Sequence, residues 1–475
     1  MSLLALLLVP LGCALAAALD AVRARRQGWL LAGAATHVSL LALAWGGRLR
    51  RSSLLWLDFD PLGGLVLTLV SVVFLAVAAY SIGYFRREAP RGGRAFEPCL
   101  LGFLASASAV CLTDHFGVIW VAMEATTLAT APLIYDPRDR HSIEAVWKYL
   151  LICSVGIALA LLGTFMLALA QGAGPSAPSL LVSEIRRTPS LHPVWFKAAF
   201  VFLFIGYGTK VGLVPMHTWL PDAHGEAPSP VSALLSGALL NAAFLAVLRV
   251  LQVAHAVGED ALLAPVLVGF GLASMLVAGA LLLRQSNYKR MLAYSSVEHM
   301  GILAVGCGLG HAATFGALLH LLGSSLCKAL LFLVAGNILL EYRSKRIADV
   351  TGLLRRLPVS GTLLVLGFLA LAGAPPFAPF LSELALLRGA LQAGRPWVAA
   401  AFVLLQAVIF IAMAPRIVGM AQGGPTASGR RSESGWLLAP PVGLLLLVLG
   451  LGVYLAAPLQ AALVAAAGSL GGSAP

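Results

Sequence analysis

The chain has 475 residues, 59% of them hydrophobic and only 11% charged, with a mean hydropathy of +0.90. A water-facing globular surface takes about a quarter of charged residues, so a soluble domain is excluded and a chain of many membrane spans is expected. The net charge of +12 does not mark a nucleic-acid binder, because the arginines gather in short gaps between apolar runs, at Arg23–Arg26, Arg86–Arg94, Arg343–Arg356 and Arg430–Arg431, as topology-setting charges do.

Backbone groups in lipid must pair internally, which leaves helices or closed barrels. Runs such as Gly361–Gly373 and Leu437–Ala457 show no polar/apolar alternation, so the expected fold is an all-α polytopic membrane protein. Fourteen spans are predicted, near 2–19, 28–46, 62–85, 97–113, 115–134, 144–171, 195–220, 229–251, 261–284, 290–308, 312–340, 358–388, 396–420 and 436–457. The first reads as a span rather than a removable signal, since it lacks a basic start and runs into Asp20 and a basic gap. Gln422–Gly435 reads as a flexible loop, and the Ala/Gly-rich stretch beyond 457 as a trailing end. With the first gap placed in the cytoplasm, cytoplasmic gaps hold 20 Lys and Arg and the opposite gaps 9, which predicts an N-terminus outside.

The three remaining basic residues, Lys148, Lys210 and Lys328, fall within spans, and all are lysine although Arg outnumbers Lys 26 to 6. Arginine stays charged in any protein environment, whereas a desolvated lysine can exchange a proton. Taken in chain order, Glu124 lies in WVAMEATT and, as a buried carboxylate, needs either a cation or a proton. Lys148 follows Glu144 by four residues and reads as an ordinary helix pair as readily as a relay group. Lys210 sits in GYGTKVGLVP, where glycine and proline interrupt the helix and free carbonyls toward a cavity. His217, Asp222 and His224 surround the proline segment that follows and are candidates to line an entrance. His299, in YSSVEHMG, is of the residue type suited to relay protons at physiological pH, although a satisfied polar contact explains it as well. His320, Ser324 and Lys328 step by four, about 40° per step around a helix, and form one polar stripe. Glu383 follows the proline run APPFAPFLS, so spans seven and twelve are both interrupted and both charged. There is no P-loop, dinucleotide fingerprint or His/Cys metal spacing. No cofactor, metal or catalysis of its own is therefore expected, and energy must come from an ion gradient or a partner.

The stretches KVGLVPMHTWLPDAHGEAPSP (210–230), YKRMLAYSSVEHMG (288–301) and KALLFLVAGN (328–337) resemble the proton-translocating antiporter-like subunits of respiratory complex I, Mrp antiporters and group 4 membrane-bound hydrogenases. Residues 120–135, 144–156 and 374–383 look most like component F of hydrogenase-4, with NADH-quinone oxidoreductase subunit M next. The resemblance covers roughly residues 60–420 and implies fourteen helices with two inverted five-helix repeats and two broken helices. It implies a division into 1–96 (helices one to three), 97–255 (first repeat), 256–420 (second repeat) and 421–475 (loop and last helix). It also implies a Glu124–Lys210 pair, a central link through His299, His320 and Lys328, and an exit at Glu383. Where relatives often have a lysine in span eight this chain has Asn241, where some have a second histidine it has Ser324, and the long lateral helix of the L-type subunits is not expected.

Two functions are therefore expected. The first is a proton-translocating subunit of a redox-driven complex of hydrogenase or quinone-reductase type, in the bacterial cytoplasmic (inner) membrane, with other membrane subunits and a peripheral redox arm as partners. The alternative is a cation/proton antiporter subunit, carrying H⁺ or Na⁺, or the membrane component of an inorganic-carbon uptake system.

Overall fold

In the computed structural model, residues 2–88, 93–136, 139–172, 178–188, 191–424 and 431–473 are described. Arg91, Arg138, Arg430 and residues 425–430 of the expected loop lie outside them. Among the described residues the chain is helical, with isolated β-bridges and no strand. Helices α1 (Ala5–Leu19), α2 (Arg23–Trp45), α3 (Pro61–Arg87), α4 (Phe96–Leu112), α5 (Phe116–Ile134) and α6 (Arg140–Ala170) lead to a single turn, α7 (Val182–Ile185). Then come α8 (Pro193–Val211), α9 (Trp219–Glu226), α10 (Ser229–Leu234), α11 (Leu240–Ala256), α12 (Asp260–Leu282), α13 (Tyr288–Leu309) and α14 (His311–Tyr342). A short α15 (Leu353–Arg356) precedes α16 (Pro358–Leu371), α17 (Ala378–Gln392), α18 (Pro396–Ala421), α19 (Gly435–Val453) and α20 (Ala457–Gly468).

Among the described residues, 11 helical segments are long and apolar enough to cross a bilayer. The other predicted spans, 2–19, 290–308 and 358–388, correspond to the shorter α1, the more polar α13 and the interrupted α16–α17. Ser229–Ala256 and α14 are buried throughout their most apolar stretch, so these two form the axis around which the others pack. Helices so enclosed can carry polar groups that lipid would not solvate, as α14 does with His320, Ser324 and Lys328. The outer helices expose Leu151, Val155, Leu404 and Leu446, the side chains hydrocarbon solvates. Trp45, Trp195, Trp397 and Trp436 sit exposed at helix ends, where indole rings favour the headgroup region.

Both expected breaks are present. α8 stops at Gly212 (φ 81°), a cis Val214–Pro215 peptide follows, and the chain resumes through Met216–Thr218 into α9. The backbone groups freed there are met by Trp219, whose Nε1 donates to the Thr209 carbonyl at 2.8 Å, and by Ser274, whose Oγ accepts from Val214 N at 3.0 Å. α16 gives way to α17 across Gly373 (φ 69°) and a cis Pro375–Pro376 peptide. A side chain at Gly373 would be strained by that φ and would collide with the Glu383 carboxylate.

Two expectations are corrected. The stretch beyond 457 is the ordered helix α20, with Leu463, Ala466 and Ala467 buried and its flank packed on α3 and α14; alanine's helix propensity outweighed its lack of bulk. Nor is every interior basic residue a lysine within a predicted span. Arg249 is buried in α11 and makes a bidentate pair with Asp60 at 2.6 and 2.8 Å. Lys289, read as a gap residue, is buried with its ammonium on the Ala227 carbonyl. Lys148 lies, as read, within the candidate span α6, with its side chain 43% exposed.

Asp60 caps α3 just outside the span, accepting from Gly63 N at 3.3 Å. Burial pushes its carboxyl up, but the Arg249 guanidinium and its hydrogen bonds outweigh this and hold it below its ordinary value. A depressed carboxylate contributes stability that is present at neutral pH and is lost as pH falls through the folded value. Asp60→Asn leaves the buried guanidinium without its hydrogen-bonded counter-charge, and an apparent destabilisation of about 3 kcal/mol is expected. Thermal unfolding in detergent checks this: the wild type loses its margin over Asp60→Asn only on acidification below the usual carboxylate range.

Candidate proton path

In the first half of the chain, Lys210 ends α8 fully buried, and its Nζ donates to Thr127 Oγ1 at 2.6 Å and Tyr149 OH at 2.9 Å. The ammonium also lies 4.8 Å from the Tyr149 ring centre, a cation–π distance. Tyr149 OH shares a 2.7 Å hydrogen bond with Thr130. Thr127 and Thr130 stand on α5, about one and two turns past Glu124, and Glu124 Oε1 accepts from Ser154 Oγ at 3.0 Å while Oε2 is buried without a protein partner. The expected direct Glu124–Lys210 ion pair is not formed. Their charges interact at longer range, and the ammonium's hydrogen bonds go to Thr127 and Tyr149 instead.

Lys148 belongs to a different cluster. It reaches Glu144 at 2.6 Å and Asp222 of α9 at 3.0 Å, and Asp222 also takes Arg290 of α13 at 2.8 Å. The local Glu–Lys pair is thus one end of a network tying α6, α9 and α13 together near the surface. His217 and His224 lie outside it. His217 Nδ1 is buried without a partner. His224 donates from Nδ1 to the Leu220 carbonyl at 2.9 Å, leaves Nε2 unpartnered, and lies within electrostatic reach of Lys328 and Lys289.

Between the halves, α10 and α11 are joined by one π-turn, Leu235–Leu239. Asn241 follows it and donates to the Gly237 carbonyl at 3.0 Å and to Ser325 Oγ of α14 at 2.8 Å, with Oδ1 unpartnered. Ser236 and Ser296 share a 2.8 Å hydrogen bond. Lys328 of α14 is buried, donating to the Leu292 carbonyl at 3.1 Å and to Ser295 Oγ of α13. Two turns back, His320 bonds His299 at 2.9 Å through Nε2 and Ser382 at 2.9 Å through Nδ1. Ser324, between them on the stripe, turns its hydroxyl onto the His320 carbonyl at 2.6 Å. Glu383 follows Ser382 on α17 and accepts from Gln406 Nε2 of α18 at 3.2 Å.

The transmembrane family described as NADH:quinone oxidoreductase/Mrp antiporter matches residues 113–409. The chain belongs to this family. It is 36% identical over 409 residues to a hydrogenase-4 component F homolog of Methylacidiphilum infernorum, covering 83% of this chain and 85% of that one. It is 30% identical over 413 residues to NADH-quinone oxidoreductase subunit N of Desulforudis audaxviator, covering 84% and 80%. A subunit of the membrane-bound sulfane sulfur reductase, an archaeal respiratory complex, superposes with a TM-score of 0.88 at 21% identity over 99% of this chain and 98% of that one. The Mrp complex of Dietzia sp. gives 0.86 at 21% identity over 99% and 96%. At these identities the structures share the fold of the family.

Residues that contact the candidate groups and were not expected include Thr127, Tyr149, Ser295, Ser382 and Gln406, which carry no sequence mark in an apolar run. Glu298 is different. It is a buried carboxylate beside His299, and the argument that singled out Glu124 applied to it equally. The Lys210 site also makes a testable distinction. Tyr149→Phe leaves a buried ammonium short of an acceptor, at a cost of about 1–3 kcal/mol, whereas Lys210→Met removes the ammonium together with its need. Thermal denaturation is expected to show Tyr149→Phe less stable than Lys210→Met.

Proposed function

We propose that this chain is a proton-translocating subunit of a redox-driven membrane complex of hydrogenase or quinone-reductase type. Protons pass between Glu124, Lys210, Lys328 and Glu383, with His299 and His320 beside the last two and Asn241 between the halves. The observation that carries this reading is the setting of Lys210 and Lys328. Both are buried, and both are held by hydroxyl or carbonyl oxygens rather than by a carboxylate. A purely structural cation would be locked by a counter-charge, as Arg249 is by Asp60. An ammonium without one exchanges its proton at small energetic cost when a neighbouring charge changes. The relatives named for hydrogenase-4 and NADH-quinone oxidoreductase support a redox complex as the setting.

In this reading 97–255 and 256–420 are the two inverted repeats, each with one broken helix and one half-path. The chain sits in a bacterial cytoplasmic membrane with its N-terminus outside, beside other membrane subunits and a peripheral redox arm. Lys148, Asp222, His217 and His224 line the approach from the side where Arg290 lies.

The test is to purify the complex through a tag on this chain and identify its partners by mass spectrometry. Electron-driven proton uptake is then measured in everted vesicles, with and without Lys210→Met. Uptake is expected to fall by a factor of about 10² or more in the variant while the complex still assembles. Antiporter or carbon-uptake partners with no redox subunit would overturn the proposal in favour of the transporter alternative.

A further inference from the structure

The step from Lys328 to Glu383 has an obvious route along the histidines, and the hydrogen bonds argue against it. Ser382 Oγ donates its one proton to the Pro379 carbonyl at 2.7 Å. It therefore accepts from His320, so His320 Nδ1 carries a proton and, in the neutral ring, Nε2 is bare. His299 Nδ1 must then donate to that Nε2. A proton added to this chain would have to leave through Ser382, whose only outlet is a peptide carbonyl. A carbonyl has no proton to hand on, so the His299–His320–Ser382 chain is a branch that ends at Pro379.

The remaining nitrogen, His299 Nε2, belongs to a residue that lines a cavity of about 30 Å³ between α13, α16 and α18. Glu298 and Gln406 line the same cavity, and Phe368, Phe410 and Met413 complete its lining. A volume of that size holds about two waters. Glu298 is 3% exposed and makes no hydrogen bond to protein among the described residues, so its carboxylate faces this space. On one side, Ser295, which holds the Lys328 ammonium, stands one turn before Glu298 on α13, and residues three apart share a helix face. On the other, Gln406 turns its amide to Glu383 and leaves Oε1 without a partner. Glu298 interacts electrostatically with both Lys328 and Glu383.

We propose that Glu298 is the proton carrier between Lys328 and Glu383, acting through the cavity it shares with Gln406, and that the histidine pair is a side branch of this path. The proposal rests on the proton-translocating reading and deepens it. Lys328 gives one proton to the Glu298 carboxylate, leaving a neutral amine and a neutral acid. Glu298 returns to carboxylate as the proton passes through cavity water to the Glu383 carboxylate, so charge and atoms balance at each step. Gln406 is a positioning residue: its NH₂ orients Glu383, and its carbonyl oxygen accepts from the cavity side.

The test uses everted vesicles bearing the assembled complex, with proton uptake measured per electron transferred. Glu298→Gln, nearly isosteric, is expected to lower uptake at least about tenfold, and Glu298→Asp to restore part of it. Ser382→Ala is expected to cost less than Glu298→Gln. Infrared difference spectra of the wild type during turnover are expected to contain a protonated-carboxyl band that Glu298→Gln removes, a signature a merely structural residue would not give. Uptake in Glu298→Gln equal to wild type, or a larger loss in Ser382→Ala than in Glu298→Gln, overturns the proposal. Wild-type vesicles that take up no protons would instead sink the underlying function.

Discussion

A charge buried away from water must be met by other polar atoms or given up, and this demand organises the interior of the chain. Arg249 shows one solution. The guanidinium cannot lose its proton, so Asp60 at the end of α3 and Gln252 one turn along α11 hold it from several directions, and the pair ties α3 to α11. Lys210 and Lys328 show the other solution. Their partners are hydroxyls and a carbonyl, groups that solvate an ammonium without fixing it. The two residue types therefore divide the work by chemistry: a permanent charge is locked, and a removable one is only cradled.

The backbone breaks meet the same demand at lower cost. Interrupting a helix in lipid frees N–H and C=O groups that must find partners, and Trp219 and Ser274 supply them at the first break. What the interruption gains is a pair of helix ends deep in the membrane. Lys210 lies in the last turn of α8, where the helix dipole favours a cation. Glu383 lies near the start of α17, where it favours an anion, more weakly because it is already in the second turn. This explains why the charge precedes the proline in one break and follows it in the other: each charge is on the helix end of complementary sign.

The broad architecture was legible in the sequence because it rests on local signals. Apolar length marks the spans, glycine and proline mark the breaks, and a lysine or carboxylate surrounded by Leu, Val and Ala stands out without further help. Partner choice was not legible, since it depends on contacts between distant segments. Asp60 and Arg249 are 189 residues apart, and nothing near either predicts the other. Thr127 and Tyr149 look like ordinary members of half-buried helices until α8 delivers an ammonium to them. Lys289 was placed in a gap because polar residues flank it, yet the start of α13 is tucked beneath α9 and buries it. Glu298 was within reach of the same reasoning that found Glu124 and was masked by the more familiar histidine beside it.

The midpoint of the chain carries the last constraint. Asn241 stands between the two halves, and an amide offers both a donor and an acceptor but holds no proton of its own to exchange. Its NH₂ is committed to Gly237 and Ser325, so what it presents inward is the unpartnered Oδ1. Around it the polar groups are hydroxyls, with Ser236 on Ser296 and Ser325 on Asn241 itself. Such a seam conducts hydrogen bonds but stores no charge. In the proposed relay the charge then resides at Lys210 or Lys328 and never rests between them. In that relay the hydroxyl seam lets a proton cross between the two lysines without leaving a charge stranded in the low-dielectric interior.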